Sequence, residues 1–103
     1  MPTAPVDAAQ VQSLLEQFHT IAQVLRGSAD QEQVEATLTT ITSLPEATQL
    51  ALLKTLSKEH HQDAADVLLA LNEFSPDKDV RKEARRSLIR LQEVHIYPQW
   101  QPP

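Results

Sequence analysis

Apolar and polar residues alternate with a helical period along most of this chain. Between residues 7 and 26, apolar side chains recur every three or four positions, which places them on one face of a helix. Similar spacing recurs four more times, so the sequence predicts helices at 7–26, 29–42, 45–59, 63–74 and 76–93. The segment 63–74 has the most continuous apolar run, and we expect it to be the most buried helix.

Residues that favour helix ends separate these segments. A side chain able to cap a helix N-terminus is predicted at each start: Asp7, Ser28, Ser43, Asp63 and Ser75. Gln31 and Glu46 complete two capping boxes with the serines three residues before them. Pro76 suits the first turn of the last helix, and Gly27 is expected in the left-handed conformation after the first.

Composition and segment boundaries predict one small all-α domain. Residues 1–6 contain two prolines and are expected to form a flexible arm, 7–93 the helical domain, and 94–103 a Pro-containing tail or linker. The chain has no cysteine, which excludes disulfides and thiolate metal sites and fits a cytoplasmic protein. With no long apolar run and no leader pattern, no membrane association is expected.

The last two predicted helices resemble a known family. Asp77, a Val80-Arg81 pair, and then Ala84 and Leu88 at helical spacing are similar to the second helix of HEAT-like (armadillo-type) repeats. The resemblance is good over 63–91. It is weak over 30–59, whose apolar positions match at offsets of 30 and 32 residues but which lacks the Val-Arg pair.

The resemblance implies a short right-handed solenoid of antiparallel helical hairpins. The residues alone leave an irregular helical bundle as the alternative. HEAT-like repeats are mainly protein-binding scaffolds, and the resemblance transfers no catalytic residue to this chain. It therefore implies an adaptor or scaffold domain that acts without catalysis.

Charge is distributed unevenly and sharpens this interpretation. Residues 1–77 carry eleven acidic and three basic side chains, whereas 78–103 carry three acidic and six basic ones. The last helix carries a basic face opposite its apolar stripe of Val80, Ala84, Leu88 and Leu91, and Ile89 lies in the middle of this face. The cations on the face or at its flanks are Lys78, Arg81, Lys82, Arg85, Arg86 and Arg90.

Three interpretations of the basic face remain open. It is a solvated surface, a binding site for an acidic protein or the chain's own downstream domain, or a site for nucleic acid or another phosphate ligand. The acidic remainder and the scarcity of aromatics speak against a duplex. The sequence favours protein binding. The first alternative is binding of nucleic acid or a phosphate ligand, and the second alternative is a structural module that docks on a downstream enzyme domain.

The tail holds the remaining candidates. Tyr97 and Trp100 either pack back on the last helix or bind a partner's groove. His60 and His61 are adjacent and point about 100° apart on a helix, which disfavours one shared metal ion. The sequence predicts no catalytic residue, cofactor or metal. The predicted partner-binding residues are Lys78, Arg81, Lys82, Arg85, Arg86, Ile89, Arg90, Tyr97 and Trp100.

Overall fold

The computed structural model describes residues 8–102, which form an all-α fold. Its helices are Ala8–Arg26 (α1), Gln31–Thr42 (α2), Glu46–Leu56 (α3), Gln62–Phe74 (α4) and Lys78–Glu93 (α5). No strand occurs in this part of the chain, and the predicted five-helix, all-α fold class is confirmed. The predicted N-terminal arm and the predicted cap at Asp7 lie outside the described residues.

Helix α4 lies at the centre of the domain. It packs against the other four helices, most extensively against α5 and α1. Eight of its thirteen residues are buried, more than in any other helix, which confirms the expectation from its continuous apolar run. Leu68 and Leu71 are fully buried, and each such side chain contributes about 1.5–3 kcal/mol through removal from water.

α1, α2 and α5 each turn an apolar stripe toward the core around α4, whereas α3 packs mainly against α5 and α1. On α5 this stripe consists of Val80, Ala84, Leu88 and Leu91, as the sequence predicts. α2 contacts α4 and α3 contacts α5, as in two stacked hairpins, but α2 and α3 barely touch each other. α1 packs across both α3 and α4. These contacts suit a short solenoid or a bundle, so the HEAT-like arrangement stays a prediction.

The caps of α2, α3, α4 and α5 all differ from those predicted. α2 is capped by Asp30, whose Oδ1 accepts the Gln33 N–H at 2.9 Å, and not by Ser28. Pro45 precedes α3, and neither it nor Ser43 provides a side-chain cap. α4 begins one residue earlier than expected, with His61 Nδ1 accepting the Asp63 N–H at 3.0 Å. A carboxylate accepts hydrogen bonds more strongly than a hydroxyl, which explains why Asp30 replaces the serine.

The start of α5 follows the same preference. Asp77 Oδ1 accepts the N–H groups of Asp79 and Val80 at 2.8 and 3.3 Å. Ser75 lies one step earlier, and its hydroxyl accepts the Asp77 N–H at 3.2 Å. The prediction that Ser75 itself caps this helix is therefore wrong.

The left-handed residue also lies elsewhere than predicted. Gly27 has a negative φ, because the chain leaves α1 through a further right-handed turn in which the Ser28 N–H donates to Leu25 O at 3.1 Å. Within residues 8–102 the positive φ, 65°, belongs to His95. The His95 N–H donates to Gln92 O and the Ile96 N–H to Leu91 O, at 3.0 and 2.9 Å. This pattern is a Schellman motif that ends α5 and turns the tail back.

The returning tail packs on α4. Trp100 is 6% exposed, and its ring centroid lies 6.4 Å from that of Phe74. The backbone N–H groups of Gln99 and Trp100 donate to Asp66 Oδ1 at 2.7 and 3.0 Å. Of the two alternatives for the tail, the structure therefore shows packing back onto the domain.

Candidate functional site

The outer surface of α5 gathers the predicted cations on one exposed face. Because the apolar stripe of α5 faces the core, the opposite side of the helix points outward. Arg81 is half-buried at the edge, and the other cations are exposed. Ile89 is 48% exposed among them. We call this set the basic face: Lys78, Arg81, Lys82, Arg85, Arg86, Ile89 and Arg90.

Few of these cations have a partner within the described part of the chain. Arg86 Nη1 lies 3.6 Å from Glu83 Oε1, a weak ion pair one turn apart. Arg81 Nη1 donates to Ser75 O at 2.7 Å. The other four, Lys78, Lys82, Arg85 and Arg90, form no ion pair or side-chain hydrogen bond with residues 8–102. Four of the six cations are therefore without a direct partner in the described part of the chain.

Two shallow clefts flank a ridge formed by Lys82 and Arg85. One cleft, of about 420 Å³, is lined by Lys82, Arg85, Arg86, Ile89, Arg90 and Glu93, and Ile89 offers an apolar contact beside the ridge. The other, of about 430 Å³, lies toward the start of α5 and is lined by Asn72, Lys78, Arg81, Lys82 and Arg85. We call them the Ile89 cleft and the Asn72 cleft.

An acidic cluster borders the basic face on the side of α3. Glu46, Asp77 and Asp79 place one carboxylate oxygen each within 4.8 Å of one another. The negative charge of Asp77 raises the pKa of Glu46 above its usual value, and partial burial and Asp79 add to the effect. Positive and negative surfaces thus adjoin along one edge of α5.

The two tail candidates lie in different environments. Tyr97 is 51% exposed, whereas Trp100 is buried against α4. The structure brings the cations and Ile89 together on one helix face, but it places Trp100 in the core. Trp100 thus has a structural role within this domain.

A buried charge network that the sequence did not predict holds the tail in place. The carboxylate of Asp66 is fully buried, and its Oδ2 accepts from Arg26 Nε at 2.7 Å. Arg26 also pairs with Asp63, whose Oδ2 lies 2.6 Å from His19 Nδ1. The network joins α1 to α4, and Asp66 Oδ1 binds the tail backbone.

The charge state of this network follows from its contacts. Burial alone would raise the pKa of Asp63, but hydrogen bonds from His19 and Arg26 lower it below the usual value. Burial alone would lower the pKa of Arg26. Hydrogen bonds to Asp63 and Asp66 raise it, and the net result is a pKa above the usual value. The ion pair between Arg26 and Asp63 therefore stays charged near neutral pH. The sequence signal was two acids three residues apart inside an otherwise apolar helix.

The same region contains the donor set closest to a metal site. His19, His61 and Asp63 each offer one ligand atom, and these atoms lie within 4.8 Å of one another. His19 Nδ1 already contacts the Asp63 carboxylate, and His61 Nδ1 accepts the Asp63 backbone N–H. Arg26 adds a positive charge beside them. These contacts account for all three side chains, and we assign no metal to them.

Comparison with known proteins gives no relative for this chain: no family model matches it, and neither does a curated protein or a solved structure. Among the described helices, none combines the length and the apolar character needed to cross a bilayer. The basic face is therefore the feature of the molecule from which a function can be inferred.

Proposed function

We propose that this domain is a non-catalytic adaptor that binds an acidic segment of a protein partner across the basic face of α5. The observation that carries the proposal is a helix face with a half-exposed isoleucine and six cations, four of which are exposed and have no partner in residues 8–102. An apolar centre with a charged rim is the usual composition of a protein-binding patch. The HEAT-like resemblance supports the same role.

The energetics of α5 favour a partner of opposite charge. Four like-charge pairs lie one turn apart on the helix, at 78/82, 81/85, 82/86 and 86/90. Each such pair costs about 0.2–0.5 kcal/mol in an isolated helix. Carboxylates from a partner would relieve this repulsion, and complementary charge would also speed the encounter.

Two alternatives predict different behaviour. Nucleic acid or another phosphate ligand would use the same cations, but the acidic cluster of Glu46, Asp77 and Asp79 beside them would repel a long polyanion. A structural module would use the basic face against a downstream domain of its own chain. The acidic cluster favours a short acidic protein segment over a nucleic-acid backbone.

Charge reversal with a matched control tests the proposal. The Lys82→Glu/Arg85→Glu variant alters the ridge shared by both clefts. Lys54→Glu/Lys58→Glu reverses two exposed lysines that are not part of α5 or of either cleft and serves as the control. Each protein is immobilised and exposed to source lysate with and without nuclease, and circular dichroism verifies that each variant is folded.

We expect a protein that binds the wild type and the control variant, resists nuclease, dissociates with added salt and is lost with the ridge variant. Equal capture by the ridge variant would contradict the assignment of this face. Capture that disappears after nuclease treatment would favour the nucleic-acid alternative.

A further inference from the structure

The Asn72 cleft differs from the rest of the basic face in its charge. Its charged lining residues, Lys78, Arg81, Lys82 and Arg85, are all cations, and no carboxylate lines it. The Ile89 cleft, by comparison, includes Glu93.

We propose that the Asn72 cleft binds the phosphate group of a phosphorylated serine, threonine or tyrosine on the protein partner of α5. The inference deepens the proposed function, on which it rests. A phosphate monoester carries a charge of about −1.5 to −2 at neutral pH and offers three acceptor oxygens. Four cations around one cleft match that charge better than they match a single carboxylate.

The donors of the cleft are partly positioned in advance. Arg81 is fixed by its 2.7 Å hydrogen bond to Ser75 O, which uses one guanidinium nitrogen and leaves the other N–H donors for a ligand. Arg85 has no partner within residues 8–102, and a planar guanidinium can bind two phosphate oxygens at once. Arg81 therefore provides a fixed donor group, and Arg85 a second one.

Asn72 adds an unsatisfied amide to the same cleft. Its side chain makes no hydrogen bond within the described part of the chain, and its Oδ1 is buried. The buried Oδ1 is an acceptor and cannot bind a phosphate oxygen, so the contribution of Asn72 to phosphate binding comes from its NH₂ group. Its NH₂ group is available to donate to a phosphate oxygen.

The neighbouring cleft indicates a protein as the source of the phosphate. The two clefts share Lys82 and Arg85, so one segment can place a phosphate in the first and an apolar side chain on Ile89 in the second. A nucleic-acid backbone would instead meet Glu93 at one end and the acidic cluster of α3 and α5 at the side. A segment with one phosphate beside an apolar residue satisfies both clefts.

Three matched peptides provide the test. A short Glu-rich peptide with one leucine and a central phosphoserine is compared with peptides carrying serine or glutamate at that position, by fluorescence anisotropy with the full chain. We expect the phosphopeptide to bind about tenfold more tightly than either, the equivalent of one charge-assisted hydrogen bond.

Two variants that each lose one positive charge show which cleft is responsible for the preference for the phosphopeptide. Lys78→Gln changes only the Asn72 cleft, and Arg90→Gln changes only the Ile89 cleft. We expect Lys78→Gln to reduce the ratio of phosphopeptide to serine-peptide affinity several-fold. Asn72→Ala should reduce it without changing any charge, whereas Arg90→Gln should weaken all three peptides and leave the ratio intact.

The outcomes separate the two proposals. Equal binding of the three peptides, or a ratio unaffected by Lys78→Gln and Asn72→Ala, would overturn the phosphate site and leave protein binding in place. Tighter binding of an oligonucleotide or a phosphoinositide vesicle through Lys78 would overturn the phosphoprotein assignment. No binding of any peptide would count against the proposed function itself.

Discussion

The buried carboxylate of Asp66 holds α1, α4 and the tail together, and its replacement by alanine tests that role. The substitution Asp66→Ala removes the acceptor for the Gln99 and Trp100 N–H groups. It also removes one of the two carboxylates that pair with Arg26. The expected result is a large loss of stability together with release of the tail.

The size of the stability loss depends on how well Arg26 and the tail N–H groups are satisfied once the Asp66 carboxylate is gone. Removing one member of a buried ion pair costs about 3–5 kcal/mol when the other remains uncompensated. Arg26 keeps Asp63, and its side chain is 30% exposed, so solvent and the second carboxylate reduce the penalty. The tail N–H groups can regain water if the tail detaches. We therefore expect the free energy of unfolding to fall by about 3 kcal/mol, the lower end of this range.

Urea unfolding measures both effects in one experiment. Trp100 is the single tryptophan of the chain, so its emission reports on tail packing, while circular dichroism reports on the helices. With a slope of about 1–1.5 kcal/mol per molar urea for a chain of this size, the midpoint should fall by about 2–3 M. Trp100 emission should already be shifted to the red in the absence of urea.

Glu73→Ala provides the matched control on the same helix. Glu73 is exposed on α4 and makes no ion pair within residues 8–102, so its loss should change stability by less than about 0.5 kcal/mol. A loss below about 1 kcal/mol for Asp66→Ala, or native Trp100 emission in that variant, would refute the reasoning. The tail would then be held by Trp100 packing and by the side-chain hydrogen bond from Gln99 to Gln62.

Two further predictions concern local backbone strain and charge. His95→Gly should stabilise the domain by about 0.5–1 kcal/mol, because glycine adopts the positive φ of this position without steric cost; thermal unfolding measures it, and an unchanged or lower midpoint would contradict it. Glu46→Gln should raise the melting temperature slightly at neutral pH, because it removes repulsion from Asp77. Since the folded-state pKa of Glu46 is raised, the wild type becomes protonated as pH falls through that value, and the difference should shrink there and in high salt. A difference independent of pH and salt would argue against the charge explanation.

The sequence predicted those features that depend on local spacing. Apolar periodicity gave all five helices, and the same period placed the cations of α5 opposite its buried stripe. The caps were harder to predict, because several polar residues at each helix start compete for the same N–H groups. At α2 the competition was between Ser28 and Asp30, and the carboxylate caps the helix.

Features that join distant parts of the chain could not be predicted in this way. Arg26 and Asp66 are separated by forty residues, and no local pattern indicates that they meet. The position of Trp100 followed from the turn at His95 and the carboxylate of Asp66, neither of which is evident from the tail sequence. The Asn72 cleft likewise required the position of Asn72 on the neighbouring helix.

The attachment of the tail through main-chain amides has a consequence for its evolution. Asp66 binds the N–H groups of Gln99 and Trp100 whatever side chains those positions carry, so a substitution at position 99 would lose the side-chain hydrogen bond to Gln62 Oε1 but keep the backbone attachment. Proline is the exception, since it lacks the donor. Pro98 and Pro102 stand on either side of the two donors and narrow the conformations of the segment without removing either bond. Sequence drift in this segment should therefore preserve the direction of the chain even where its residues change.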